Sequence, residues 1–135
     1  MSRFVRFAMM LAPAFAQPAV ATDDDCQAPP GLSTAFASCM RRAGSQTIPS
    51  ADCPMDERDR QDARLNRVYR ELVAGLQGDH RTRLVEAQRI WVQLRQKDGA
   101  FTAAILDDLG PMGNLDSLEI EAQAIAQRAN QLERY

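Results

Sequence analysis

The sequence predicts an all-α protein, built as a small antiparallel helical bundle or a long helical hairpin with flanking helices. Four segments repeat their apolar residues at the three- and four-residue spacing of an amphipathic helix. No window alternates apolar and polar residues with the β-branched enrichment of a strand. With 135 residues, the chain has the length of one domain around one core.

The first two helical segments are predicted on either side of a polar loop. An alanine-rich helix is expected over Leu32–Ala43, with Gly44 as its C-terminal stop. The second helix is expected to begin with a cap at Ser50 or Asp52, which places Pro54 in its first turn. Its apolar stripe consists of Leu65, Val68, Tyr69, Leu72, Val73 and Leu76.

Glycines separate the remaining two segments. Gly78 and Asp79 are interpreted as a C-terminal glycine followed by an N-cap, and Gly110–Asn114 is interpreted as a break. The third stripe consists of Leu84, Ala87, Trp91, Leu94, Phe101 and Ile105, and the fourth of Leu115, Leu118, Ala122, Ile125, Ala129 and Leu132. A coiled-coil dimer would also use such stripes, but segments of three or four heptads with short connections favour packing within one chain.

The N-terminus has the pattern of a secretory signal peptide. Arg3 and Arg6 precede a short apolar run, and small residues at alternate positions end at Ala16 and at Ala21. We expect residues 1–21 to be the signal peptide, 22–31 a flexible segment and 32–135 the helical domain, with cleavage after Ala16 left open. The mature protein is then periplasmic or secreted. Cys26 follows three aspartates and no lipobox, so no stable membrane anchor is expected.

Composition and charge disfavour several function classes. Removal of residues 1–21 leaves 14 basic and 18 acidic residues, a formal charge of −4, which disfavours a nucleic-acid partner. A single histidine, His80, disfavours a histidine metal site or a Ser-His-Asp triad. Glu57 and Asp62 are interpreted as part of a solvated helix face and not as an acid–base pair. We therefore expect neither an enzyme nor a bound cofactor or metal.

The three cysteines are candidates for disulfide bonds, because disulfides persist in the oxidising compartment to which the protein is expected to be exported. Cys39 and Cys53 bracket the loop between the first two helices, where a disulfide would join neighbouring elements and stabilise the fold by about 3 kcal/mol. Cys26 would then be left over. A bridge between Cys26 and Cys39 is the competing arrangement, and the sequence leaves it open.

Polar residues interrupt the facing stripes of the second and third helices. Around a turn at Gly78, an antiparallel hairpin would place Asp62 opposite Arg95, Asn66 opposite Trp91, and Tyr69 opposite Gln88. A buried carboxylate and guanidinium can form a bidentate pair, so one interpretation is a structural clamp. The other is that part of this seam opens into a groove and binds a ligand, since Trp and Arg are enriched at binding hot spots.

Two motifs on these helices are recognisable together. They are Gln61-Asp62-x-x-Leu65-Asn66-x-x-Tyr69 and Ala87-Gln88-Arg89-x-Trp91-x-x-x-Arg95. With the closing segment over 126–133, they resemble the LprI-like lysozyme-inhibitor family from about Cys39 to the end. The resemblance implies a small exported helical protein and adds Arg89 to the candidate site. Gly99 and Ile120 stand where family members usually carry a further pair of cysteines, so this chain lacks that bridge.

Two functional hypotheses follow. The first is a non-enzymatic binding protein whose partner is lysozyme or another cell-envelope protein, a role that the family resemblance implies. The second is a structural or stress-related envelope protein without activity toward lysozyme. An enzyme ranks third.

Overall fold

The computed structural model describes residues 31–45 and 47–135, with the side chains of 47–51 left aside. The predicted signal peptide, the segment 22–30 and Cys26 lie outside this part of the chain. No strand occurs within it, and the all-α prediction is confirmed. The helices are α1 (Thr34–Ala43), α2 (Thr47–Gly75), α3 (Gly78–Leu106) and α4 (Pro111–Leu132), with a 3₁₀ turn at Asp107–Leu109 between α3 and α4.

The C-terminal helix is the centre of the fold. α4 packs extensively on α2 and also contacts α3, whereas α2 and α3 have little direct contact with each other. The buried cluster joins Leu65 and Val68 of α2 to Ile125, Ala129 and Leu132 of α4. Tyr69, Leu72, Leu84 and Trp91 pack around it. The predicted face-to-face hairpin of α2 and α3 is therefore wrong, because α4 provides the apolar surface that both helices need.

A disulfide holds α1 against the beginning of α2. Cys39 and Cys53 are bonded, with Cα atoms 5.7 Å apart, as predicted. Phe36 and Ala43 are buried beside Cys53, so the bridge lies over a small second core. Ser33 caps α1 by accepting a hydrogen bond from the Phe36 amide at 3.2 Å.

Several helix limits differ from the predicted ones. α2 begins at Thr47 and not at Ser50 or Asp52, so Pro54 lies inside the helix, where it is fully buried. The N-cap of α3 is Gln77. Asp79 lies in the first turn and accepts a hydrogen bond from Arg83 at 2.7 Å. The Asp79 carboxylate therefore binds a side chain four residues later in α3, and Asp79 is not the N-cap.

The predicted break at Gly110–Asn114 is confined to Gly110. This glycine has a φ of 59°, and Pro111, whose ring favours helical φ and whose missing N–H is not needed there, starts α4. Gly113 lies inside α4, where a side chain would not fit: a Cβ at this position would lie 1.9 Å from the Leu106 carbonyl oxygen. The glycine permits the start of α4 to pack directly on the end of α3.

No helix of the described residues is both long and apolar enough to cross a membrane.

Candidate functional site

An open cleft lies between α2, α3 and α4. Its volume is about 560 Å³, and six of the eight residues that line it are polar or charged. We call it the interhelical cleft. It is lined by Arg58, Asp59, Asp62, Ala63, Asn66, Arg95, Glu121 and Ile125. Because α4 closes only one side of the space between α2 and α3, the polar seam predicted from the sequence opens to solvent along this stretch.

Three of the predicted seam residues line the cleft, but they do not form the predicted pair. Asp62 accepts a hydrogen bond from Asn66 Nδ2 at 2.9 Å, within its own helix. Arg95 reaches Glu121 of α4, with Nη1 and Oε1 3.4 Å apart. No ion pair joins Asp62 to Arg95, so the clamp between these two residues is wrong. The sequence offered no sign that a carboxylate of α4 would intervene.

The other seam residues support α4. The Trp91 ring lies near two guanidinium groups, with its centroid 5.6 Å from the Arg95 group and 5.8 Å from the Arg128 group. Arg128 Nε also donates to Gln88 Oε1 at 2.9 Å. Tyr69 packs on the apolar cluster. These side chains therefore contribute to the wall and core beside the cleft and not to its opening.

Arg89, the residue added by the family resemblance, is exposed. It lines a separate shallow depression on α3 together with Arg81, Thr82, Val85 and Glu86. The structure thus keeps Arg89 apart from the interhelical cleft.

The charges of the cleft do not balance. Arg58 pairs with Asp59 at 2.9 Å, and Arg95 is close to Glu121. The hydrogen bond to Asp59 raises the pKa of Arg58 above its ordinary value. Asp62 contributes a third carboxylate, and no cation of the described chain pairs with it. The cleft therefore carries one more negative than positive group.

One nitrogen in the cleft wall also lacks a partner. Arg95 Nε is buried and donates no hydrogen bond to any described residue. The guanidinium is thus held only through its Nη1 contact to Glu121 and through Trp91.

A second polar group, Glu57, was misinterpreted from the sequence. The predicted solvated carboxylate is fully buried. It accepts hydrogen bonds from the Ser33 amide at 2.7 Å, the Ser33 hydroxyl at 2.6 Å and Gln61 Nε2 at 2.7 Å, and it pairs with Arg60. Burial raises the pKa of Glu57, but these hydrogen bonds outweigh it and hold the pKa below its ordinary value.

The same network continues to the end of α4. Arg64 donates to Gln61 at 3.2 Å, to Asn130 at 2.6 Å and, through Nε, to Glu133 at 3.1 Å. The hydrogen bond from Arg64 lowers the pKa of Glu133. Polar groups of α2 thereby fasten both the cap of α1 and the C-terminus of α4.

A signal for this network is present in the sequence. Cys53, Glu57, Gln61 and Leu65 follow one another at four-residue intervals, so the buried stripe of α2 extends toward its N-terminus through two polar residues. A stripe sought only among apolar residues ends at Leu65 and leaves Glu57 on the wrong face.

The groups that line the cleft are suited to binding a polar partner. Within residues 31–45 and 47–135, no group of three or more His, Cys, Asp or Glu side chains is placed to hold a metal ion. The groups that line the cleft can exchange hydrogen bonds and ion pairs with an incoming polar side chain.

Comparison with known proteins gives one result. The family model described as "Lysozyme inhibitor LprI" matches residues 39–132, which include α2, α3 and α4. No curated protein and no solved structure matches the chain.

Proposed function

We propose, since the chain belongs to the LprI family of lysozyme inhibitors, that this protein is an exported, non-enzymatic inhibitor that binds a lysozyme-like muramidase through the interhelical cleft. Periplasmic or secreted placement is part of the proposal, and it rests on the signal-like N-terminus. The alternative partner is another protein of the cell envelope.

The unbalanced charge of the open cleft carries this proposal. Three carboxylates face two guanidinium groups, and Asp62 forms no ion pair with either of them, although Arg58 is near enough to interact with it electrostatically. A lysine or arginine side chain that entered the cleft would form an ion pair with Asp62 and could donate further hydrogen bonds to Glu121 or Asp59. Hen-type lysozymes are basic and present such side chains.

The charge of the whole protein supports the encounter. A mature chain with a formal charge of −4 attracts a basic partner over distances longer than a contact, which raises the association rate at low salt. Inhibition needs no chemistry from this protein. Lysozyme cleaves its polysaccharide between two carboxyl groups in a groove, and a bound protein that covers the groove excludes the substrate.

A lysozyme turnover assay with the purified mature protein tests the proposal. Turnover should fall as the protein approaches stoichiometric amounts. Asp62→Lys should weaken inhibition at least about tenfold, because it replaces a carboxylate that forms no ion pair by a cation that repels a basic partner.

Glu71→Lys is the matched control. It makes the same charge change on the same helix, and nine residues from Asp62 places it about 180° around α2, away from the cleft. Inhibition by this variant should change less than about twofold. Equal losses in the two variants would show that net charge and not the cleft governs binding.

The structural-envelope alternative has its own support, since Tyr69, Gln88 and Trp91 serve the packing of α4. An unmodified protein that leaves several lysozyme types fully active would favour this alternative and exclude the inhibitor proposal.

A further inference from the structure

A smaller cavity continues the interhelical cleft along α3 and α4. Its volume is about 290 Å³, and we call it the α3–α4 groove. Arg95 and Glu121 line both the interhelical cleft and this groove, so the two cavities meet at this pair. The other residues that line the groove are Gln96, Gly99, Ala100, Ala103 and Ser117. The surface open to a partner therefore extends beyond the cleft, toward the turn that joins α3 to α4.

The two cavities follow one line along α4. Ser117 lines the α3–α4 groove, Ile125 lines the interhelical cleft, and Glu121 lines both. These residues follow one another at four-residue intervals, so they lie on one side of α4 and span about 12 Å. An extended chain rises about 3.3 Å per residue. About four residues of an extended segment would therefore reach from one cavity into the other.

The narrowness of the α3–α4 groove favours an extended chain over a helix. On α3 the groove runs from Arg95 to Ala103, a rise of about 12 Å. A volume of 290 Å³ over this length corresponds to a mean cross-section of about 24 Å². A helix with its side chains is about 10 Å across, so it would remain mostly outside the groove. The side chains of an extended segment can enter it.

The two ends of this line differ in charge and in the size of their side chains. At the cleft end, negative groups outnumber positive ones. At the other end, Gly99, Ala100 and Ala103 form the wall on α3, and the only charged residues that line the groove are the shared Arg95 and Glu121. A Cβ at Gly99 would meet nothing within 4 Å, so the space over this part of α3 is open. A basic side chain thus suits the cleft, and a large uncharged side chain suits the groove.

We infer that the muramidase is bound through an extended loop segment that places a lysine or arginine in the interhelical cleft and a large uncharged side chain in the α3–α4 groove. The inference rests on the proposed function, because it names the part of the partner that enters the cleft. It adds the α3–α4 groove as a second contact, which contributes to affinity without any charge of its own. Surface loops are the segments that commonly present extended chain to a partner.

Two consecutive exposed alanines of α3 provide matched variants. Ala103 lines the groove, whereas Ala104 is turned 100° further around the helix, away from it. Ala103→Phe fills the groove with a ring and should raise the concentration needed for half-inhibition of a hen-type lysozyme at least about tenfold. Ala104→Phe should change it less than about twofold. Both variants replace an exposed helical alanine by the same residue, so their urea denaturation curves should be alike.

Photochemical cross-linking tests the contact itself. The photoreactive amino acid p-benzoylphenylalanine, incorporated at position 103, should cross-link to lysozyme on irradiation, and at position 104 it should do so much less. Mass spectrometry of the cross-linked peptide should identify a loop with a lysine or arginine within about four residues of the attachment point. Attachment to the middle of a lysozyme helix would overturn the inference.

The failure of this inference is distinguishable from the failure of the proposed function. If the unsubstituted protein leaves lysozyme fully active, the proposed function is wrong and the inference falls with it. If the unsubstituted protein inhibits and Asp62→Lys weakens that inhibition, the cleft binds the partner. Equal inhibition by Ala103→Phe and Ala104→Phe in that case would overturn the inference alone, because a filled groove would then cost no affinity.

Discussion

Two carboxylate–amide pairs on α2 have the same spacing and different surroundings. Gln61 donates to Glu57 at 2.7 Å, and Asn66 donates to Asp62 at 2.9 Å, each across four residues. Glu57 is completely buried and Gln61 is 4% exposed, whereas Asp62 is half-buried and Asn66 is exposed. Chemically similar pairs on one helix thus serve two purposes, one inside the scaffold and one at the cleft.

The difference comes from rotation around the helix. Glu57 and Gln61 continue the stripe that contains Cys53 and Leu65, so they face α1 and the end of α4. Asp62 follows Gln61 by one residue, which turns it about 100° toward the cleft. A polar residue on the buried stripe needs a full set of partners, and Glu57 has them. Asp62 is half-buried and has one hydrogen-bond partner, Asn66.

The largest expected effect on stability comes from a substitution in the buried pair. Glu57→Ala removes the acceptor for the Ser33 amide and for Gln61, and it leaves a cavity under α1. We expect a loss of about 4 kcal/mol in the free energy of unfolding, measured by urea denaturation. A loss under about 1 kcal/mol would mean that the buried network does not hold the fold.

A smaller effect is expected where the core adjoins the cleft. Trp91→Ala should lower the free energy of unfolding by about 2–3 kcal/mol, because the ring packs on the apolar cluster but is only half-buried. Leu84→Ala, which trims the same edge of the cluster, is the control for lost apolar contact. A thermal or urea unfolding curve of Trp91→Ala that matches the unsubstituted protein would show that the ring serves binding alone.

The apolar periodicity predicted the helices because it shows which face of each helix is buried. It does not show which other helix packs against that face. The four segments, the disulfide and the convergence of Asp62, Asn66 and Arg95 near one surface were accessible from the sequence. The insertion of α4 between α2 and α3 was not, since its stripe fits either helix equally well. Glu57 was placed in solvent because residue type was given more weight than its position on the stripe.

Acid should weaken the scaffold through Glu57. Its pKa is lower in the folded protein than in the unfolded chain, so at acidic pH the folded state binds fewer protons than the unfolded state. The stabilisation is present above the unfolded pKa, near 4.5, and is lost as the pH falls through the folded value. Urea denaturation between pH 7 and pH 3 should show this loss.

Glu57→Gln provides the comparison, because it keeps the shape of the side chain and cannot titrate. Its stability should be lower at pH 7 but should fall less steeply toward acid than that of the unsubstituted protein. The exposed Glu133 also has a lowered pKa and contributes to the acid dependence of both proteins. Parallel curves for the two proteins would assign the acid sensitivity to groups other than Glu57.

The smallest expected stability effect belongs to Arg95 at the cleft. Its contact with Glu121 is 3.4 Å long, and the two side chains are 23% and 34% exposed. Such a pair contributes under about 1 kcal/mol, so Arg95→Ala should unfold at nearly the same urea concentration as the unsubstituted protein. Its inhibition of lysozyme should nevertheless fall, since the cleft loses a guanidinium group from its lining. Loss of stability and inhibition together would instead make this end of the seam part of the scaffold.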